Sequence, residues 1–288
     1  MFAPRWVLLL PLAVLLPAAA IRARPALVPL AAATVVAAFA SGFNLPVLQV
    51  ITPAPVGTPF RVMTLSMHYS EADSPRLDAL IAETAPDVVA VQEWPGAHRS
   101  ALNGAPGWHV RETPRLFLAS RHPVLWATDL GARPADGPLV AAHYELDTPA
   151  GTVHLFSLHA SSNRQGISDA LKRDPKAAAE VRANSGRRWA QSAAVAGRAA
   201  GCGGPAVVVG DFNAPPESAV FPEVWGRYTD AFAAAGWGWG YTYYGDRTAV
   251  RIDHVLAGPG WRVLRCRVGP DVGSAHRPVI ADLIRTKE

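Results

Sequence analysis

The segment Ala206-Val207-Val208-Val209-Gly210-Asp211-Phe212-Asn213 decides the fold. Three consecutive valines without polar alternation read as a strand buried on both faces. Such a strand belongs inside a layered α/β protein, with other elements covering it. It runs into a carboxylate and, two residues on, a carboxamide. Taken alone, Asp211 is equally a turn former that caps the next bend through an Asx hydrogen bond.

The same form recurs outward from this segment. Asp87–Glu93 (DVVAVQE) is an apolar run that ends in Gln92-Glu93, and Thr152–His159 ends in His159. Arg251–Leu256 carries Asp253 and His254, and Arg61–Ser66 is a shorter apolar run. Arg115–Ser120, Val124–Trp126, Leu139–Leu146, Trp261–Val268 and Pro278–Ile284 complete the expected strands, with Ser274-Ala275-His276 just ahead of the last. Asp73–Ala85 has helical apolar spacing and stops before Pro86, and the Ala-rich stretch 168–200 predicts a long helix. Many strands and few helices predict sheets packed face to face with helices outside.

Polar residues at strand ends gather on one rim of a sheet, where binding sites of layered α/β proteins form. Each has a dull explanation by itself: a solvated acid at Glu93, a satisfied core histidine at His159, a local pair at Asp253-His254. Together they make chemical sense. Glu93, Asp211 and Asn213 offer the hard oxygens that a divalent cation such as Mg²⁺ takes. A histidine held by a carboxylate does general acid–base work near neutral pH, and His276 with Asp253 supplies that pair. His159 is placed to hydrogen-bond a phosphate oxygen.

The formal net charge is +4 over 288 residues, which suits an anionic substrate but comes from scattered arginines and does not itself indicate nucleic acid. Cys202 and Cys266 lack metal-site spacing and read as two unrelated thiols, a disulfide being the alternative for an exported domain. Charged residues are only 17% of the chain, and the first sixty residues account for much of the deficit. Two apolar stretches, about 6–21 and 26–50, flank Arg22 and Arg24 and predict one or two transmembrane helices. A signal peptide cleaved near Pro17-Ala18-Ala19-Ala20 is the competing reading of the first stretch. The division expected is a membrane anchor at 1–51, a Pro-rich linker at 52–59 and a catalytic domain at 60–288. The arginine pair favours the cytoplasmic side, so the domain is expected to be extracytoplasmic, with the lipid bilayer as a partner of the N-terminal segment.

The ordered motifs resemble the endonuclease/exonuclease/phosphatase superfamily, the deoxyribonuclease I-like proteins. The pieces, in family order, are Arg61–Ser66, Val91-Gln92-Glu93, Ser120–Val124, Ser157-Leu158-His159, Gly210–Asn213, Arg251–Val255 and Ser274–Val279, spanning Phe60 to about Ile284. The resemblance implies an α/β fold, a four-layer sandwich of two mixed β-sheets flanked by helices. It implies hydrolysis of phosphoesters, nucleic acid among them, with Mg²⁺ or Mn²⁺. It makes Glu93 the metal-binding glutamate, with Asp211 beside it, and makes His159 a contact of the scissile phosphate. Asp211 and Asn213 position water and phosphate, and Asp253 orients His276. Two positions depart from the pattern. Ser66 stands where the family's first strand ends in Asn, and Ala275 stands where the family has the Asp of Ser-Asp-His. The loss at Ala275 predicts weakened metal affinity.

Three functions stay open on the sequence: a membrane-anchored metal-dependent phosphodiesterase or nuclease, a lipid-headgroup or sugar phosphate hydrolase on the same scaffold, and a weakened phospho-ligand-binding relic. The loop Gly236–Tyr244 (GWGWGYTYY) either contacts bases or lipid or packs as an aromatic cluster.

Overall fold

Branched apolar residues dominate the strands, and their burial follows from cover on both faces. The computed structural model describes residues 9–47, 52, 57–67, 74–95, 101–131, 140–162, 174–245 and 249–286. The first sheet contains β1 (Phe60–Ser66), β2 (Val88–Gln92), β3 (His109–Thr113), β4 (Leu116–Ser120), β13 (Trp261–Val268) and β14 (Val279–Arg285), in the order β13-β14-β1-β2-β4-β3. The second contains β5 (Val124–Asp129), β6 (Val140–Thr148), β7 (Gly151–His159), β8 (Ala206–Asp211), β9 (Thr229–Asp230) and β12 (Asp253–Ala257), in the order β5-β6-β7-β8-β12-β9. A two-stranded ribbon joins β10 (Tyr243–Tyr244) to β11 (Ala249–Val250).

Each large sheet is mixed. β1 and β2 run parallel in one, and β7 and β8 run parallel in the other. Parallel neighbours need a crossover, supplied by α3 (Ser74–Thr84) and α4 (Ala177–Ala200). The two β-α-β units therefore send four strand ends, Ser66, Gln92, His159 and Asp211, to one edge of the sandwich.

Three apolar cores fix the layers. Val62, Val88, Ala90, Leu118, Tyr144, Leu155, Val207, Val209 and Val255 pack between the sheets. Met63, Leu65, Leu77, Leu80, Ile81 and Phe117 pack under α3. Phe156, Leu158, Val195, Ala199, Val208 and Trp225 pack under α4 and α5 (Val220–Val224). The order is helix, sheet, sheet, helix, as the motifs imply. The helix expected at 73–85 runs Ser74–Thr84, and the one expected at 168–200 runs Ala177–Ala200, residues 168–173 lying outside the described ones. β3 was not legible in advance, because HVRET is a mostly exposed edge strand with no apolar run. The short α6 (Ala231–Ala235) likewise lacks a helical apolar stripe. Cys202 and Cys266 are separate free thiols.

The N-terminal expectation needs correction. α1 (Leu10–Arg22) has 13 residues and α2 (Leu27–Ala40) has 14. No helix among the described residues is long and apolar enough to cross a membrane. At 1.5 Å per residue each reaches about 20 Å, against about 30 Å of hydrocarbon. The apolar stretch 26–50 does not continue as one helix: α2 ends at Ala40, and Asn44 is tied to residues 232–238. Its backbone bridges Gly238, and its side-chain amide donates to Phe232 O at 2.9 Å and Gly236 O at 2.6 Å. Residues 1–8 and 48–51, and residues 53–56 of the expected linker, lie outside the described ones. The surface of the helical pair is nevertheless apolar: Val14, Ile21, Val28 and Val36 are each more than two-thirds exposed.

Candidate active site

Gly210 sets the end of β8. Its φ is +134°, and a Cβ there would lie 2.0 Å from the Leu158 carbonyl oxygen, so only glycine lets β7 and β8 close together at this level. Asp211 follows, almost wholly buried. Asn213 takes a left-handed φ of +48°, donates its backbone N–H to Asp211 Oδ1 at 2.8 Å and its amide to Asp211 Oδ2 at 3.1 Å and Ala160 O at 2.9 Å. The Asx bond anticipated as an alternative to a site is thus present, and it holds the site carboxylate in place. Glu93 also has positive φ, +54°. Two strained non-glycine residues on one rim are a mark of a functional site.

The rim brings all the expected residues together. His159 Nε2 lies 3.3 Å from Glu93 Oε1 and 3.8 Å from Asp211 Oδ2. His276 Nδ1 is 2.8 Å from Asp253 Oδ2, and its Nε2 is 4.0 Å from Asp211 Oδ2. Ser66 is fully buried at the end of β1, and its carbonyl accepts from Ser274 Oγ at 2.8 Å, while that hydroxyl accepts from the His276 N–H at 3.1 Å. The two departures from the family pattern, Ser66 and Ala275, therefore sit side by side. Arg115 approaches Glu93 Oε1 at 3.9 Å.

Negative charge is crowded here. Burial pushes the Asp211 carboxyl up to about 8, with Asp253 adding to the rise and His276 and the Asn213 amide opposing it. Burial pulls His276 down, but Asp253, through charge and hydrogen bond, with Asp211 and Glu93 behind it, raises it to about 9. The cluster keeps protons because burial disfavours the Asp211 carboxylate, with Asp253 adding repulsion, and because Asp253 stabilises the His276 cation. A divalent cation fits this donor set. Asp211, Asp253 and His276 have ligand atoms all within 4.8 Å of one another, and Asp253 Oδ1 is buried without a hydrogen-bond partner among the described residues. The geometry thus adds Asp253 to the Glu93 and Asp211 expected for metal.

Several supporting residues were not foreseen. Thr242 Oγ1 accepts from the backbone N–H of Ile252 and Asp253, each at 3.0 Å, and fixes the start of β12. Arg188 of α4, buried behind the rim, donates to Asn213 O at 2.8 Å. Gln92, singled out in the sequence as a polar strand end, spans the sheets, donating to Ser157 Oγ at 3.0 Å and accepting from Thr64 Oγ1 at 3.2 Å. Thr242 and Arg188 act on backbone groups, which no sequence pattern displays. The aromatic loop has two ends with different work. Trp239 donates to Ser41 Oγ at 3.0 Å and meets Phe43 edge-on at 4.9 Å, whereas Tyr243 lies 5.0 Å from the His276 ring.

A fold of two face-to-face mixed sheets, with paired histidines and carboxylates on one rim, defines a phosphoester hydrolase class. The endonuclease/exonuclease/phosphatase family model matches residues 63–276, and the chain belongs to that family and is a phosphoester hydrolase. Solved structures with the same fold include an endonuclease/exonuclease/phosphatase from Beutenbergia cavernae, 21% identical over 80% of this chain and 72% of that one, TM-score 0.59. The 3' phosphatase NExo from Neisseria, bound to a product DNA hairpin, is 17% identical over 78% of this chain and 99% of that one, TM-score 0.59. D. rerio TDP2, complexed with a single-strand DNA product, is 13% identical over 79% of this chain and all of that one, TM-score 0.60. No curated protein matches the chain.

Proposed function

We propose that this chain is a divalent-cation-dependent phosphodiesterase whose substrate is nucleic acid. The observation that carries the reading is the gap between His276 Nε2 and Asp211 Oδ2, 4.0 Å, with Asp253 behind the histidine and Asn213 behind the aspartate. That distance is too long for a direct hydrogen bond and leaves room for a water that both groups could touch.

Glu93, Asp211 and Asp253 would hold Mg²⁺ or Mn²⁺, which would supply positive charge to neutralise the phosphate. Asp211, braced by Asn213, orients the attacking water and takes its proton as the new P–O bond forms. His276, kept cationic by Asp253, holds a phosphate oxygen and gives its proton to the leaving oxygen. His159 donates to a second phosphate oxygen from the opposite strand end. Binding of DNA by the NExo and TDP2 structures supports a nucleic-acid substrate.

The test uses the full chain with Mg²⁺ or Mn²⁺ on DNA, RNA, a nitrophenyl phosphodiester and sphingomyelin vesicles, beside His276→Ala. Turnover of DNA or RNA that the substitution removes is expected. No substitution-sensitive turnover on any of the four sinks the proposal.

One observation favours a second reading, a lipid-linked phosphoester. The apolar α1–α2 pair is hooked through Asn44, Phe43 and Ser41 to the loop whose far end, Tyr243, touches His276. Such a pair resting in one leaflet would hold the rim at a lipid surface. Turnover confined to vesicle substrate selects this reading. The extracytoplasmic placement read from Arg22 and Arg24 belongs with it, and full protection from protease added to intact cells overturns that placement.

A further inference from the structure

The outer face of the second sheet carries a histidine–carboxylate cluster outside the catalytic rim. Residues 143 and 145 on β6 and residue 154 on β7 share one face, because side chains alternate along a strand and Glu145 pairs directly with His154. His143 Nε2 lies 3.0 Å from His154 Nδ1, and His154 Nδ1 lies 3.8 Å from Glu145 Oε1. One ligand atom from each residue falls within 4.8 Å of the other two. His154 is five residues before His159, so this cluster is about 16 Å from the rim along the strand.

We propose that His143, Glu145 and His154 form a second metal site suited to Zn²⁺, three protein ligands that leave the fourth position to solvent. Ligand atoms about 2.0–2.1 Å from a tetrahedral zinc lie about 3.3 Å apart, and the two observed separations bracket that value. Two imidazoles and one carboxylate are a zinc donor set, and one too nitrogen-rich for Mg²⁺. The first ligand is rigid. The His143 ring stacks on Phe156 at 4.2 Å with an interplanar angle of 4°, and Trp126 meets its edge at 5.2 Å. The second ligand has room only because residue 204 is glycine, since a Cβ there would lie 2.9 Å from the His154 ring. The third, Glu145, is about one-third exposed and leaves a path for the ion. Arg198 of α4 is the cation near His143, so Glu145 is the group that makes the pocket favourable to a positive ion. A zinc here ties β6 to β7 across their register and leaves the catalytic rim to the harder cation.

The full chain, stripped of metal by a chelator and held in excess Mg²⁺, is titrated with Zn²⁺ by calorimetry and with Co²⁺ by visible absorption. One tightly bound equivalent is expected, with quenching of Trp fluorescence from Trp126 as Co²⁺ enters. Glu145→Gln, at a partly exposed position, and His143→Gln should each weaken that equivalent at least tenfold. Mg²⁺-dependent hydrolysis should stay within twofold of the parent protein. Equal Zn²⁺ stoichiometry and affinity in the parent and both variants overturns the proposal, because an ion at Asp211, Asp253 and His276 survives both substitutions. No Zn²⁺ binding in the parent protein also overturns it, and leaves His143 and His154 as a hydrogen-bonded imidazole pair.

Discussion

Two Asp–His pairs lie back to back on β12. Asp253 faces the rim and holds His276, whereas His254 faces the other way and holds Asp230. The second pair is saturated. Asp230 takes two contacts from Arg251 at 2.8 and 2.7 Å, one from His254 Nδ1 at 2.8 Å and one from the Ala233 N–H at 3.0 Å, and His254 Nε2 reaches Ala214 O at 3.0 Å. Burial pushes the Asp230 carboxyl up, but Arg251, His254 and the Ala233 amide outweigh it and hold it well below the usual carboxylate range. The rim pair is in deficit. Asp253 Oδ1 is unpartnered among the described residues, and Asp211 is raised rather than lowered, burial outweighing the help of His276 and the Asn213 amide. The same residue types give a brace where charges balance and a reaction centre where they do not.

Removing each histidine or its partner breaks this contrast in opposite ways. His276→Ala should lower the hydrolysis rate by roughly 10²–10⁴ while the thermal midpoint stays near that of the parent protein. Arg251→Ala should leave activity per folded molecule intact. It strips a buried carboxylate of its main counter-charge, at about 3 kcal/mol, read by denaturant unfolding. A rate loss for Arg251→Ala larger than its loss of folded protein would erase the distinction. Acid sharpens the same point. The lowered Asp230 contributes stability that is present above its unfolded value, about 4, and is lost as pH falls below that.

The rim should respond to pH with the opposite sign. Asp211 is raised to about 8 and His276 to about 9, so the folded metal-free site binds more protons than the unfolded chain between about pH 4 and 9. Its contribution is therefore present at low pH and lost as pH rises through 8 and 9. Metal binding must displace those protons. The rise in thermal midpoint on adding Mg²⁺ should be a few degrees at pH 8 and close to zero at pH 5.5. An equal rise at both pH values would mean that the ion sits elsewhere.

Sequence shows the rim far better than the brace. Glu93, His159 and Asp211 stand at the ends of buried apolar runs, so the strand itself points to them. Asp253-His254 looked like a local pair, but alternation along β12 sends the two side chains to opposite faces, each to a partner more than twenty residues away. Asp230 gave no sign, since it ends a two-residue strand with no apolar run. The N-terminal helices show the same limit. Their composition suits lipid, but the chain after α2 is held by tertiary bonds from Asn44 that composition does not encode.

Position 275 offers the finest adjustment of the contrast, because it adds to the deficit without touching the brace. The backbone there is already fixed: the Ala275 carbonyl accepts from Tyr244 N–H at 2.9 Å, and Ser274 is pinned to Ser66. A side chain at 275 therefore enters beside His276 without rearranging the loop. Ala275→Asp should lower the Mg²⁺ concentration for half-maximal hydrolysis roughly tenfold, the scale on which a ligand-supporting carboxylate acts. Ala275→Asn, which adds the bulk without the charge, should leave it near that of the parent protein. If both substitutions shift the Mg²⁺ curve alike, shape rather than charge governs the site. If Asp weakens metal use, Glu93, Asp211 and Asp253 already meet the ion's demand, and a further carboxylate only adds repulsion at a rim where burial has already raised Asp211.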